Sequence, residues 1–175
     1  SAASDVYKRQ GMGGAAVLGA ETALRSGAGL VTVATDPANL SGLLARVPEA
    51  MWVDALGADA EPTFSSAMAA ASVVVLGPGL GRGAWAQQVI GALANYDGPL
   101  VIDADGLYWL ADTAQGRTLK NRGGPLFLTP HAGEAARLLE CSISEILNNP
   151  RQAVIDMTVR FNATCLLKGP GTVIG

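Results

Sequence analysis

A chain of 175 residues with 49% apolar and 15% charged side chains is long enough to fold around a sizeable core and too apolar to be disordered. Its net charge of −3, with only 5% aromatic residues, argues against a nucleic-acid partner, which needs a basic face or stacking rings. No apolar run reaches the roughly 18 residues of a membrane span, and neither a signal-peptide nor a lipidation pattern opens the chain, so no membrane partner and a cytoplasmic location are expected.

Residues 1–10, SAASDVYKRQ, are polar and aperiodic and read as a disordered or non-native leader; patterned sequence begins at Gly11. Residues 14–26 are predicted as a helix, with Ala16, Ala20, Ala23 and Gly27 forming a small-residue stripe that lets it lie close to a sheet. Gly27 and Gly29 stop it before a buried strand at 30–34, and Asp36-Pro37 starts the next helix with an N-cap acid and a proline at the first helical position. The pattern then repeats as a strand at 73–76, a helix near 84–95, a strand at 100–102 and a helix near 105–112. A strand at 126–129 and a helix around 133–140 follow. Ser142-Ile143-Ser144-Glu145 has the capping-box form, Asn149-Pro150 opens a helix to about Phe161, and 164–167 is the last complete strand. Short apolar strands separated by helices predict an α/β fold: one domain, residues 11–175, with a mostly parallel sheet and helices on both faces.

In such sheets ligands bind outside the carboxyl ends of the strands, where loops and helix N-termini meet. Four unusual loops are predicted at that edge: Gly77-Pro78-Gly79-Leu80-Gly81, Asp103-Ala104-Asp105-Gly106, Thr129-Pro130-His131-Ala132-Gly133-Glu134 and Lys168-Gly169-Pro170-Gly171-Thr172. A fifth, Gly11-Met12-Gly13-Gly14-Ala15-Ala16, opens the first helix. Gly11-x-Gly13-x-x-Ala16 fits the dinucleotide fingerprint, with Asp36 on the far side of the next strand, although no strand precedes it; Gly79-x-Gly81-x-x-Ala84 fits too. Each glycine loop reads equally as a tight turn with close helix packing.

Lys168 ends a buried strand and opens a glycine loop, so a cation, free amides and the Thr172 hydroxyl form a phosphate cradle, though without P-loop spacing. A solvated lysine before a turn is the other reading. His131, the single histidine, sits at the shared edge ahead of a helix start, and Glu134 suits that helix N-terminus by charge alone. Asp103 and Asp105 suit a magnesium-bound phosphate, and Asp105 suits an N-cap equally well. With one histidine, and with Cys141 and Cys165 not in a C-x-x-C pair, a Cys/His zinc site is excluded and both thiols read as small apolar core residues. Arg82, Arg117, Lys120 and Arg122 are expected to face solvent.

Taken together, GMGGAAVLGAETALRSGAGLVTVAT, VVVLGPGLG, VIDADGL, LTPHAGEAARLL and LLKGPGTVI resemble the ADP/ATP-dependent NAD(P)H-hydrate dehydratase family from Gly11 to Gly175. The TPH.GE and KG.GT pieces are the most distinctive. The resemblance implies a ribokinase-like fold and a carbon-oxygen lyase that repairs NADH and NADPH hydrated at the nicotinamide ring (NADHX and NADPHX). ADP or ATP, with Mg2+, would phosphorylate the ring hydroxyl, and loss of phosphate would restore the dihydronicotinamide. By position it implies that Ala15, Gly79 and His131 contact the hydrated dinucleotide, and that Lys168, Gly169, Pro170, Gly171 and Thr172 line the adenine nucleotide. It leaves the metal ligands unassigned and suggests a homo-oligomer, a tetramer in the family.

Ala132 stands where the family usually has proline, a change expected only to loosen the turn. The family pattern also includes an upstream HKG segment and a Gly-Thr-Gly-Asp loop, anion hole and catalytic base, after KG.GT. On this reading the chain holds the binding loops without the catalytic aspartate, lacks the C-terminal part of the domain, and is expected to show no dehydratase activity by itself. Two other readings stay open: a ribokinase-like kinase acting on a vitamin precursor, and a non-catalytic Rossmann-type module with NAD pyrophosphate at residues 11–16 and ribose on Asp36.

Overall fold

The computed structural model describes residues 13–54, 61–111 and 114–175, so the expected leader at 1–10 and Gly11 lie outside the described residues. The chain packs as two compact units, one running through Ala71 and including Pro78–Val89, the other comprising Ser72–Gly77 and Ile90–Gly175.

The first unit begins with α1 (Gly13–Arg25), followed by β1 (Thr32–Thr35), a 3-10 turn (Pro37–Asn39), α2 (Leu40–Arg46), β2 (Met51–Asp54) and α3 (Glu61–Ala70). Val17, Ala20 and Leu24 recur at helical spacing on α1, and they pack with Leu43, Val47 and Ala50 against Val31, Val33 and Trp52. Ala20, in the middle of the small-residue stripe, is 4% exposed, as close packing of the helix requires. The helix ends where Gly27 takes φ 97, a conformation that costs a glycine nothing. Asp36 caps the 3-10 turn by accepting from the Ala38 amide at 2.9 Å, with Pro37 at the first position. β1 and β2 pair in parallel, Thr32 opposite Met51. β2, a strand of four residues, and α3, whose serines and alanines dilute the spacing of Phe64 and Met68, carry too little pattern to be marked in the sequence.

The second unit holds β3 (Val74–Leu76), β4 (Leu100–Ile102), α5 (Asp105–Leu110), α6 (Ala114–Asn121), β5 (Leu126–Leu128), α7 (Ala132–Leu139), α8 (Ile143–Asn148), α9 (Pro150–Phe161), β6 (Thr164–Leu167) and β7 (Val173–Ile174). Between β3 and β4, α4 (Ala84–Ala92) contributes residues to both units, and a 3-10 turn (Leu93–Asn95) follows it. The strands form one sheet in the order β3-β4-β5-β6-β7, parallel from β3 to β6, with β7 antiparallel at the edge. Leu76, Ile102, Leu128 and Cys165 stand in one register row, and all four are buried. The next row out, through Val75 and Phe127, faces the other way and is more open. Both later caps form as the sequence indicates: Ser142 and Glu145 close a capping box, and Asn149 caps α9 with Pro150 at its first position.

Hydrogen bonding does not stop where the strands do. The Asp103 amide donates to the Leu76 carbonyl at 3.0 Å, Thr129 to Ile102 at 3.1 Å and Lys168 to Pro130 at 2.7 Å. His131 and Lys168 form a parallel bridge past the ends of β5 and β6. The backbone pairing therefore extends past the strand ends.

Arg82, Arg117 and Lys120 are exposed as expected, but Arg122 is not. Its guanidinium donates to the carbonyls of Tyr96, Gly98 and Pro125, tying the turns that lead into β4 and β5. Burial lowers its pKa from the ordinary value, opposed by Tyr96 and Asp97. A planar five-donor fork collects carbonyls in this way, whereas lysine cannot span them. Arg122→Ala is expected to cost about 2–3 kcal/mol in urea unfolding, with Arg122→Lys recovering only part of it. A loss under about 0.5 kcal/mol for the alanine variant would contradict the bracing role.

Candidate functional site

The carboxyl edge of the second unit's sheet gathers Asp103, His131, Glu134 and the Lys168–Thr172 loop. His131 is the N-cap of α7: its Nδ1 accepts from the amides of Gly133 at 3.0 Å and Glu134 at 3.3 Å. Glu134 completes the box by accepting from the His131 amide at 2.8 Å. With Nδ1 accepting from two amides, the ring proton belongs on Nε2, which lies 3.5 Å from the second Glu134 oxygen on a largely exposed side chain. Glu134 thus has the helix-start role that its charge suggested. The cap itself was missed. His131-x-x-Glu134 has capping-box spacing, but histidine in place of serine or threonine hides the signal.

Lys168 reaches back across the strand ends to Asp103, with Nζ 2.6 Å from Oδ1 and both side chains partly exposed. Nothing in the sequence marked this pair, whose members lie 65 residues apart. Asp103 is itself held by tight backbone packing, since a Cβ on Gly77 (φ 131) would fall 1.7 Å from the Asp103 carbonyl oxygen. The next residue, Ala104, takes φ 48 and ψ −121, a strained conformation for any residue but glycine. Ala104, not Asp105, occupies the N-cap position of α5, and it makes no side-chain cap bond. Asp105 is instead the first helical residue, where its charge suits the helix N-terminus.

The glycines of these loops fall into two groups. Gly77 and Gly106 are there because the backbone packs back to back: a Cβ on Gly106 would meet the Leu76 carbonyl oxygen at 2.7 Å. Gly169 and Gly171 are different. A Cβ on either would meet nothing within 4 Å, and neither has positive φ. Neither packing nor turn geometry demands glycine there, and its presence leaves the main chain open to close approach. The loop is closed by the Thr172 hydroxyl, which donates to the Gly169 carbonyl at 3.3 Å.

The second unit holds His131 and Lys168–Thr172, while Ala15 and Gly79 belong to the first. Ala15 is half-buried in the first turn of α1, beside a hollow of about 520 Å³ lined by Gly13, Gly14, Asn39, Ser41 and Arg46 among others. The place of a Gly13 side chain is taken by the Asn39 amide, which a Cβ would meet at 2.4 Å. Gly79 and Gly81 take φ 75 and 72 in the turn after Pro78. The dinucleotide-fingerprint reading loses support here. Gly13 is explained by packing, and one Asp36 oxygen is used as a cap. Burial raises the thiol pKa of both Cys165 and the half-buried Cys141, which fits inert cysteines. Among the described residues no group of three or more His, Cys, Asp or Glu could hold a metal ion, and no helix is long and apolar enough to cross a membrane.

A family model described as NAD(P)H-hydrate dehydratase matches residues 9–175. The chain belongs to that family. Among dehydratase relatives, the bifunctional NAD(P)H-hydrate repair enzyme Nnr of Coxiella burnetii is 41% identical over 164 residues, covering 94% of this chain and 32% of its own. The chain therefore spans about a third of the length of the curated relatives it first matches. An ADP/ATP-dependent NAD(P)H-hydrate dehydratase from Bacillus subtilis, co-crystallised with ATP and Mg2+, superposes with a TM-score of 0.76 at 27% identity, over 94% of this chain and 56% of that one. A ribokinase-like superfamily protein from Enterococcus faecalis gives 0.76 at 32% identity, over 93% of this chain and 55% of its own. The fold of this dehydratase-family chain is thus α/β and ribokinase-like.

Ala132 is the first residue of α7, where a proline's fixed φ and missing N–H are tolerated, and His131 has the extended backbone (φ −82, ψ 173) that a following proline requires. Ala132→Pro is expected to stabilise the protein by roughly 0.4–1 kcal/mol in thermal or urea unfolding, through a stiffer unfolded chain. Destabilisation would show that the Ala132 N–H, carried into the His131–Lys168 bridge, contributes more than the stiffer unfolded chain.

Proposed function

We propose that this chain serves an ADP- or ATP-dependent NAD(P)H-hydrate dehydratase. The adenine nucleotide's phosphates lie along Lys168–Thr172, and hydrated NADH or NADPH contacts His131. The observation that carries this reading is the pair Gly169 and Gly171, glycines that neither packing nor backbone conformation requires, next to a lysine ammonium fixed over the strand ends. A polyphosphate can approach such a main chain closely and meet amides and a cation together. The reaction supported is phosphoryl transfer to the ring hydroxyl, then departure of phosphate with a proton from the adjacent carbon, which restores the ring double bond.

Magnesium fits as a nucleotide-borne ion rather than a resident one. The described residues offer no metal cage, but they present a carboxylate, Asp103, beside the lysine, and Mg2+ is commonly held by one or two carboxylates plus substrate phosphates. When bound it would neutralise charge on the phosphates. Lys168 would hold the phosphate oxygens, and the Gly169–Thr172 backbone would orient them. His131, largely exposed, would turn its Nε2–H from Glu134 to a polar group of the dinucleotide while its Nδ1 keeps the helix cap intact.

Calorimetric titration of this chain with ADP and with hydrated NADPH tests the assignment. Lys168→Ala is expected to weaken ADP binding roughly 10- to 100-fold, the loss of one charge-assisted contact, and to leave hydrated NADPH little changed. His131→Asn should do the reverse while keeping unfolding stability within about 0.5 kcal/mol of the parent, since asparagine also caps helices. Tighter binding of a thiazole or pyrimidine alcohol than of hydrated NADPH would replace this reading with that of a vitamin-precursor kinase.

A further inference from the structure

The Lys168–Asp103 pair makes the nucleotide loop unusual for a phosphate site. Its only cation is already in contact with an anion, at 2.6 Å. The pairing follows from the fold. Both backbones are pinned, Asp103 to the Leu76 carbonyl and Lys168 to the Pro130 carbonyl. The Asp103 backbone cannot retreat, because Gly77 and Gly106 pack against its turn and Ala104 holds a strained conformation, so its carboxylate stays within reach of Lys168. An approaching polyphosphate meets two opposed terms: Lys168 attracts it, and the carboxylate beside Lys168 repels it by a similar amount. A nucleotide that carries a divalent cation changes the sign of the second term, since Asp103 then faces a positive charge and Lys168 is released to the phosphate oxygens.

We infer that Asp103 makes nucleotide binding conditional on a divalent cation: it pairs with Lys168 against bare ADP and passes to the cation of a metal-bearing nucleotide. This rests on the proposed placement of the nucleotide at Lys168–Thr172. Asp103 is in this sense a specificity residue, selecting the metal-bound form of the nucleotide over the free one. The sequence reading paired Asp103 with a magnesium-bound phosphate; the ion pair adds what it does when no metal accompanies the ligand.

The test is the ADP dissociation constant of the full chain, measured by calorimetry with excess magnesium and with EDTA, for the parent, Asp103→Asn and Lys168→Gln. The parent is expected to bind ADP about three- to five-fold more tightly with magnesium, the size of one charge contact at a half-exposed position. In Asp103→Asn, bare ADP should bind several-fold more tightly than it does to the parent, and magnesium should change affinity by less than about two-fold. Either an unchanged magnesium ratio in Asp103→Asn or weaker binding of bare ADP by that variant overturns the inference, the second result marking Asp103 as a mere prop for Lys168. Lys168→Gln separates the two levels. If it leaves ADP affinity unchanged under both conditions, the nucleotide placement itself fails; if it weakens ADP while Asp103→Asn keeps the parent ratio, only the role of Asp103 fails.

Discussion

The second unit is organised by a hydrogen-bond ladder that runs one residue beyond its strands. Parallel β3, β4, β5 and β6 bury one face through Leu76, Ile102, Leu128 and Cys165, and this row fixes the register of the strands. A one-residue slip would carry the whole row to the opposite face, so burial specifies the pairing strongly. Because the pairing is fixed, the bonds from Asp103 to Leu76, from Thr129 to Ile102 and from Lys168 to Pro130 are fixed with it. The Lys168–Asp103 contact, the His131 cap and the open Gly169–Thr172 main chain all depend on that continuation.

A glycine-rich loop becomes informative once its glycines are separated by cause. Gly77, Gly106 and Gly13 make room for a carbonyl or side chain that already fills the space, and Gly79 and Gly81 take positive φ. Such glycines are explained by folding alone. Gly169 and Gly171 need neither explanation, and unlike Gly14, which shares that status, they follow a lysine at the sheet edge of the second unit. The proposed phosphate contacts, amides plus a cation, rest on this juxtaposition of open glycines and Lys168 rather than on glycine content alone.

Much of this was legible in the sequence because it is local. Continuous apolar strands, the Asp36-Pro37, Ser142-x-x-Glu145 and Asn149-Pro150 starts, and the Gly27 stop each depend on a few neighbouring residues. The α/β pattern and the placement of the chemistry-bearing loops followed from these signals. What stayed hidden was non-local or disguised. The partner of Lys168 is set by which strands pair, the half-buried Arg122 is engaged by turns 24 and 26 residues away, and a histidine cap wears the wrong residue type for the usual motif. Short β2 and the small-residue helix α3 lack the contrast that periodicity needs.

If the ladder is the constraint that positions the site, it must hold without ligand. Residue-resolved amide hydrogen exchange of the unliganded chain measures this directly at Asp103, Thr129 and Lys168, three loop residues whose amides would otherwise exchange quickly. Protection at all three comparable to that of Ile102 and Leu128 in the strands is the expected result. Exchange at these three amides as fast as at the exposed Gly169 and Gly171, with protection only after ADP is added, would contradict it and make the ligand, not the sheet, the organiser of the site.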